Sequence, residues 1–123
     1  MSVMRLETKQ KQWIRENIDV EEFFELDTYN HLETIEENGE LIGLAGIVNR
    51  YRILPSVFII IKKGERGKGR GQHLMDTLLS NYTNRPIFLT VSRDNKRALA
   101  IYKKKGFRIV MFWRDKKYLM VKA

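Results

Sequence analysis

Val57-Phe58-Ile59-Ile60-Ile61-Lys62-Lys63-Gly64-Glu65-Arg66-Gly67-Lys68-Gly69-Arg70-Gly71-Gln72-His73-Leu74 gives three conformational instructions in succession. The run from Val57 to Lys62, apolar as far as Ile61, is rich in β-branched residues, as a buried strand requires. Glycines at 67, 69 and 71 break that pattern and are expected to permit positive φ angles and a close approach to the main chain. From Gln72 to Tyr82, the residues Leu74, Met75, Leu78, Leu79 and Tyr82 recur at helical spacing. Strand, glycine turn and helix together form a device for holding phosphate. The first amides of a helix lack intrahelical partners, and its dipole places partial positive charge there. Arg66, Lys68 and Arg70 add charge at the same place.

The same periodicities organise the rest of the chain. His31–Glu37 and Glu40–Val48 flank Asn38-Gly39, a two-residue hairpin signal. Lys9 to Asn17 reads as a short amphipathic helix, with no clear strand before it. The acidic stretch from Asp19 to Asp27 fits neither helix nor loop decisively. Ile87 to Val91 is a short strand opened by Pro86, and Asn95 to Lys105 a helix with Asp94 as N-cap and Gly106 as C′ residue. Phe107–Trp113 and Tyr118–Val121 read as a closing strand pair. Hairpin, strand, helix, strand, helix, hairpin is the order of an α/β or α+β domain, a mixed sheet with helices packed on it.

Composition narrows the function classes. A chain of 123 residues fits one domain, 1–123. With no cysteine, disulfides, thiolate metal sites and a cysteine nucleophile are excluded, and His31 and His73 are too few for a histidine-rich zinc centre. The longest apolar run is too short for a bilayer and the N-terminus lacks a secretory pattern, so a cytoplasmic protein is expected, without membrane partners. Residues 1–61 carry six Lys/Arg against eleven Asp/Glu, and residues 62–123 carry seventeen against four. The basic half calls for an anionic partner, a phosphate-bearing cofactor or nucleic acid.

Three anion-binding motifs fail on the glycine loop. A Walker loop needs Lys-Ser or Lys-Thr where Gln72-His73 follow Gly71, and the dinucleotide fingerprint needs G-x-G-x-x-G where the spacing is G-x-G-x-G. An arginine–glycine nucleic-acid element would not sit between an apolar strand and an amphipathic helix, so nucleic acid is not expected as a partner. The segment instead resembles the [Q/R]-x-x-G-x-[G/A] signature of the GNAT superfamily of N-acetyltransferases, with Arg66, Gly69 and Gly71 in the fixed places. Downstream, Leu89-Thr90-Val91 through Asn95, Ala98, Tyr102 and Gly106-Phe107 is similar to the superfamily pattern L-x-V-x-x-x-N-x-x-A-x-x-x-Y-x-x-x-G-F at every fixed position. The resemblance covers about Glu40 to Phe107.

That resemblance implies a mixed, mostly antiparallel central sheet flanked by helices, here with a shortened N-terminal region. It implies transfer of acetyl from acetyl-CoA to a primary amine by direct attack through a tetrahedral intermediate, without a metal. By register from Arg66, Ile59, Ile60 and Ile61 would contact pantetheine through their main chains, and the Ile61 amide would stabilise the oxyanion. Gly67, Lys68, Gly69, Arg70, Gly71 and Gln72, with Arg66, would hold the pyrophosphate. Asn95 and Tyr102 would face the cofactor, and Tyr102 would be the general acid. Arg97 and Lys104 are further phosphate neighbours. The general base is unassigned: Thr90 stands where ribosomal-protein acetyltransferases of the superfamily carry Glu, and Glu33, Glu36, Glu37, His31 and His73 each have a simpler surface or packing reading. The acidic front, with Glu21, Glu22, Glu25 and Asp27, would favour a cationic acceptor: a protein lysine or N-terminus, or a small polyamine-like molecule. A homodimer is compatible with the sequence. The rival class is a non-catalytic basic module binding nucleic acid or acyl-CoA.

Overall fold

The computed structural model describes residues 4–5, 7–17, 28–50 and 54–123. The acidic residues Glu21, Glu22, Glu25 and Asp27, and the stretch around them, lie outside the described residues. A two-residue strand β1 (Met4–Arg5) precedes helix α1 (Thr8–Asn17) and pairs antiparallel with β2 (Thr28–Tyr29). A strand therefore does precede the first helix, too short to leave a periodic signal. The main sheet comprises β3 (His31–Glu37), β4 (Glu40–Arg50), β5 (Leu54–Ile61), β6 (Ile87–Ser92), β7 (Arg108–Trp113) and β8 (Lys117–Lys122), in the order β3-β4-β5-β6-β8-β7. All neighbours run antiparallel except β5 and β6. This is the expected mixed, mostly antiparallel sheet.

Asn38 and Gly39 join β3 to β4 with φ of 53° and 77°. Two successive positive φ angles twist the chain in the sense of the flanking strands, which is why Asn-Gly occurs there. Alternation then sorts β5 between two faces. Val57, Ile59 and Ile61 join the cluster under α2 (Arg70–Asn81) and α3 (Lys96–Lys104), while Phe58 and Ile60 pack with Leu44, Val48 and Ile14 of α1. The larger core lies on the first face, where Leu74, Met75 and Leu78 of α2 press on Ala45, Ile47, Ile87 and Leu89.

Helix α3 begins one residue later than its sequence suggests. Its N-cap is Asn95, whose side-chain oxygen accepts from the Ala98 amide at 3.1 Å, so Asp94 does not cap it. Both residue types cap well, and the turn from Ser92 selects between them: the Asn95 amide bonds to the Ser92 carbonyl at 3.1 Å. Gly106 closes the helix with φ of 95°, as expected of a C′ glycine.

Candidate active site

The strand junction that carries the glycine loop is also where the sheet opens. Strands β4 and β5 pair continuously from Gly43–Ile61 to Arg50–Leu54, whereas β5 and β6 meet at one position, Ser56 beside Phe88. Beyond it the two parallel strands diverge. Hydrogen-bond alternation shows which groups this leaves unpaired. The Lys62 amide donates to the Ile42 carbonyl at 2.8 Å, so in this register Ile60 also exchanges its bonds with β4, at Leu44. The N–H groups of Ile59 and Ile61 therefore point away from β4, into the opening. The Ile60 N–H points the other way, toward Leu44 of β4.

A cavity of about 260 Å³ occupies the space beside this opening, between α2 and α3. Ile59 lines its floor, Gly71, Gln72 and Met75 one wall, and Ala98, Ile101, Tyr102 and Lys105 the other. Its α2 end is a helix N-terminus whose N-cap is Gly69, with φ of 80° and no side-chain cap. The amides of Arg70, Gly71 and Gln72 therefore lack intrahelical partners. Gly67, with φ of 81°, and Gly69 take the left-handed conformation expected of the loop.

Gly71 does not. It lies in the helix, without a positive φ, and a Cβ there would meet only the Ile61 Cγ1 at 3.9 Å. Neither backbone strain nor protein packing calls for glycine at this position; its missing side chain keeps the cavity wall open. That space, the uncapped amides and the turned-out N–H groups of β5 fit a pantetheine-linked diphosphate.

The loop cations are engaged within the protein. Lys68 reaches Glu65 at 3.0 Å, Arg70 contacts the same carboxylate, and its other terminal nitrogen reaches Glu37 at 2.6 Å. The Lys68 hydrogen bond, with the charges of Lys68 and Arg70, holds the Glu65 carboxyl below its usual range against a smaller effect of burial. Arg70 is held above its ordinary value, chiefly by its bond to Glu37. Arg66 turns away from the loop. Its Nε donates to the Ile61 carbonyl at 3.2 Å and its Nη2 to the Asn17 carbonyl at 2.7 Å, tying the end of α1 to the end of β5. Asn17, 6% exposed, completes the tie by accepting from the Lys63 amide at 3.0 Å.

Tyr102 stands on the α3 wall with its ring edge-on to Phe107, 6.2 Å between centroids. Burial pushes its phenol above the ordinary value, so it stays protonated throughout the neutral range. Among the described residues nothing hydrogen-bonds its hydroxyl. Ala98 and Tyr102 share the cavity wall as expected, but Asn95 does not join them. It is exposed, and its carbonyl oxygen is spent on the cap. Arg97 and Lys104 are exposed on α3 and do not line the cavity.

Ile101, Met75 and Lys105 are cavity residues that motif matching missed. They were readable by helical periodicity, since 98, 101, 102 and 105 fall on one face, as do 71, 72 and 75. Lys105 also pairs with Asp76 across the two helices. The carboxylates of β3 do not line the cavity: Glu37 is paired with Arg70, and Glu33 takes hydrogen bonds from His31 at 3.0 Å and Asn81 at 2.6 Å. Among the described residues no cluster of three or more His, Cys, Asp or Glu could hold a metal, and no helix is long and apolar enough to cross a membrane.

An opened parallel strand pair, with a glycine loop feeding an uncapped helix at its mouth, is the architecture of one acyltransferase superfamily. The chain belongs to it: the sequence model of the acetyltransferase (GNAT) family matches residues 1–107. Over 86 residues it is 31% identical to the N-alpha-acetyltransferase RimI of Mycobacterium tuberculosis, across 67% of this chain and 54% of that protein. The chain thus spans about half the length of this curated relative. The fold is similar to that of the ribosomal-protein-S18-alanine N-acetyltransferase of Escherichia coli, with a TM-score of 0.65 and 16% identity over 98% of this chain and 91% of the other. It is also similar to yncA of Salmonella typhimurium, solved with its cofactor acetyl-CoA, with a TM-score of 0.58 and 19% identity over 73% and 61% of the two chains.

Proposed function

We propose that residues 1–123 form a single N-acetyltransferase domain that moves the acetyl group of acetyl-CoA to a primary amine. The observation that carries this reading is the cavity in the sheet opening, with unpaired helix amides at one end and a protonated phenol on its wall. The amides of Gly71 and Gln72, with the Gly67–Arg70 loop, receive the diphosphate, and the outward N–H of Ile59 receives the pantetheine arm. The Ile61 N–H lies on the same edge of β5 and donates to the carbonyl oxygen as negative charge gathers there. The amine nitrogen bonds to the thioester carbon, the carbon–sulfur bond breaks, and Tyr102 gives its proton to the departing sulfur. The proton shed by the new amide nitrogen goes to solvent, and the phenol is reprotonated from water.

The chemistry of the lining bears on the acceptor. Among the described residues, the titratable groups of the lining are Tyr102 and Lys105, without a carboxylate or imidazole. A lysine side chain, with a reference pKa near 10.4, needs a base at neutral pH, whereas roughly a tenth or more of α-amino groups, with a reference pKa near 7.7–8.0, are already neutral at pH 7. That difference, and the activity for which the Mycobacterium tuberculosis relative is named, favour a protein N-terminus.

Thermal unfolding with acetyl-CoA, CoA and nucleic acid in parallel tests the binding. Acetyl-CoA at about a hundred times its dissociation constant should add about 2.7 kcal/mol of stability, seen as a midpoint several degrees higher. CoA release with a panel of amines tests the chemistry and should be fastest with peptide α-amines. Binding without CoA release from any amine would leave an acyl-CoA-binding module. A shift with nucleic acid alone would replace the enzyme reading altogether.

A further inference from the structure

The two edges of the main sheet are treated very differently. Edge strand β3 carries Glu33, Glu36 and Glu37, of which Glu33 and Glu37 bond to residues of α2, so charge and cover both discourage further pairing. Among the described residues, the opposite edge, β7, pairs with β8 alone, and every residue from Arg108 to Phe112 is exposed. Exposure rises along the strand from 37% at Ile109 to 41% at Val110, 51% at Met111 and 70% at Phe112. A bulge at Val110 interrupts the register with β8, but Ile109 to Trp113 contains no charge and no proline. Edges are usually blunted by such residues; an apolar one left open marks a surface that something covers.

The flanks of this strand state what covers it. Arg108 opens the strand, and the window 103–118 holds seven Lys/Arg against one acid, Asp115. The Arg93 guanidinium lies 5.2 Å from the centre of the Phe112 ring, bringing a further cation onto the apolar surface itself. A second copy of the chain would bring the same cations to the contact, so self-pairing is opposed by charge. Complementarity asks for an apolar centre with acidic ends. We infer that the β7 edge accepts an extended segment of a partner protein, apolar over about five residues and flanked by Asp or Glu, as a seventh strand of the sheet. Main-chain hydrogen bonds supply affinity in such strand addition, and flanking charge supplies choice. Ile109 and Phe112 lie level with the core residues Met120 and Tyr118, and Met111 with Leu119, so the added strand finds apolar neighbours on both faces.

Two capped nonapeptides test this, each with a five-residue valine–threonine centre, one flanked by glutamates and the other by lysines. The glutamate peptide should bind about tenfold more tightly, an increment of about 1.4 kcal/mol, and should protect the amides of residues 109–113 from hydrogen exchange. Phe112→Glu, at a site too exposed to threaten folding, should weaken it about tenfold and leave acetyl-CoA binding unchanged. That last readout keeps the result separate from the fate of the acetyltransferase reading. Equal affinity for the two peptides, no binding of either, or protection elsewhere overturns the inference. A dimer seen by sedimentation and dissolved by Phe112→Glu would make the occupant a second copy instead.

Discussion

Helices α2 and α3 lie on the same face of the sheet and are seated in opposite ways. Helix α2 drives Leu74, Met75 and Leu78 to 1% exposure or less over the continuous β3-β4-β5 ladder. Helix α3 buries no residue completely, and it stands beside the pair of strands that meet at a single position. The β3-β4-β5 ladder and the α2 core spend their hydrogen bonds and apolar surface on each other. At the opening between β5 and α3 both are withheld: the first amides of α2, the outward N–H groups of β5 and the Tyr102 phenol lie about one cavity. The space itself is open, although the loop cations beside it are paired.

The largest test of that contrast is at Tyr102. Tyr102→Phe should lower kcat about a hundredfold or more while acetyl-CoA affinity stays within about twofold, measured with chemistry rate-limiting. An unchanged kcat removes the phenol from the mechanism. The same residue predicts a pH effect. Its pKa is raised by burial in the folded protein, so the stability it contributes is present below the ordinary phenol value near 10 and is lost as pH rises through the folded value. Urea midpoints should fall above pH ~10 in the parent and less steeply in Tyr102→Phe.

A smaller effect is expected from closing the vacancy. Gly71→Val places methyl groups in the cavity at a helical position with room for a Cβ. Acetyl-CoA should bind about thirtyfold more weakly, about 2 kcal/mol, with folding stability altered by less than about 0.5 kcal/mol. Wild-type affinity in isothermal titration would mean that the ligand lies elsewhere. Smallest is the cap of the loosely seated helix. Asn95→Ala should cost about 1 kcal/mol in chemical denaturation, and Asp94→Ala a few tenths. The reverse order would return the cap to Asp94.

Most of the paired half was legible in the sequence, because Asn38-Gly39, the β-branched run of β5 and the spacing of Leu74, Met75 and Leu78 are local signals. The opened half was legible only where a motif marked it. Arg66 matched the signature as a phosphate neighbour, yet its guanidinium serves Asn17 and Ile61, and no local pattern announces a bond across 49 residues. A run of three isoleucines, Ile59 to Ile61, does not say which amides face β4 and which face the opening. The divergence of β5 from β6 is an absence of pairing, which leaves no trace in composition or period. Strand β1 depends wholly on meeting Thr28–Tyr29, since two residues have no period to read.

Glu65 has a consequence for how the loop responds to ionic strength. One carboxylate already holds both Lys68 and Arg70, so those cations reach an incoming diphosphate only by sharing or leaving an existing partner. Added salt weakens the old partnership and the new one together, and the two losses oppose. If the loop receives a diphosphate as proposed, it should behave as a buffered charge, whose grip on that polyanion changes with salt far less than its count of basic residues suggests.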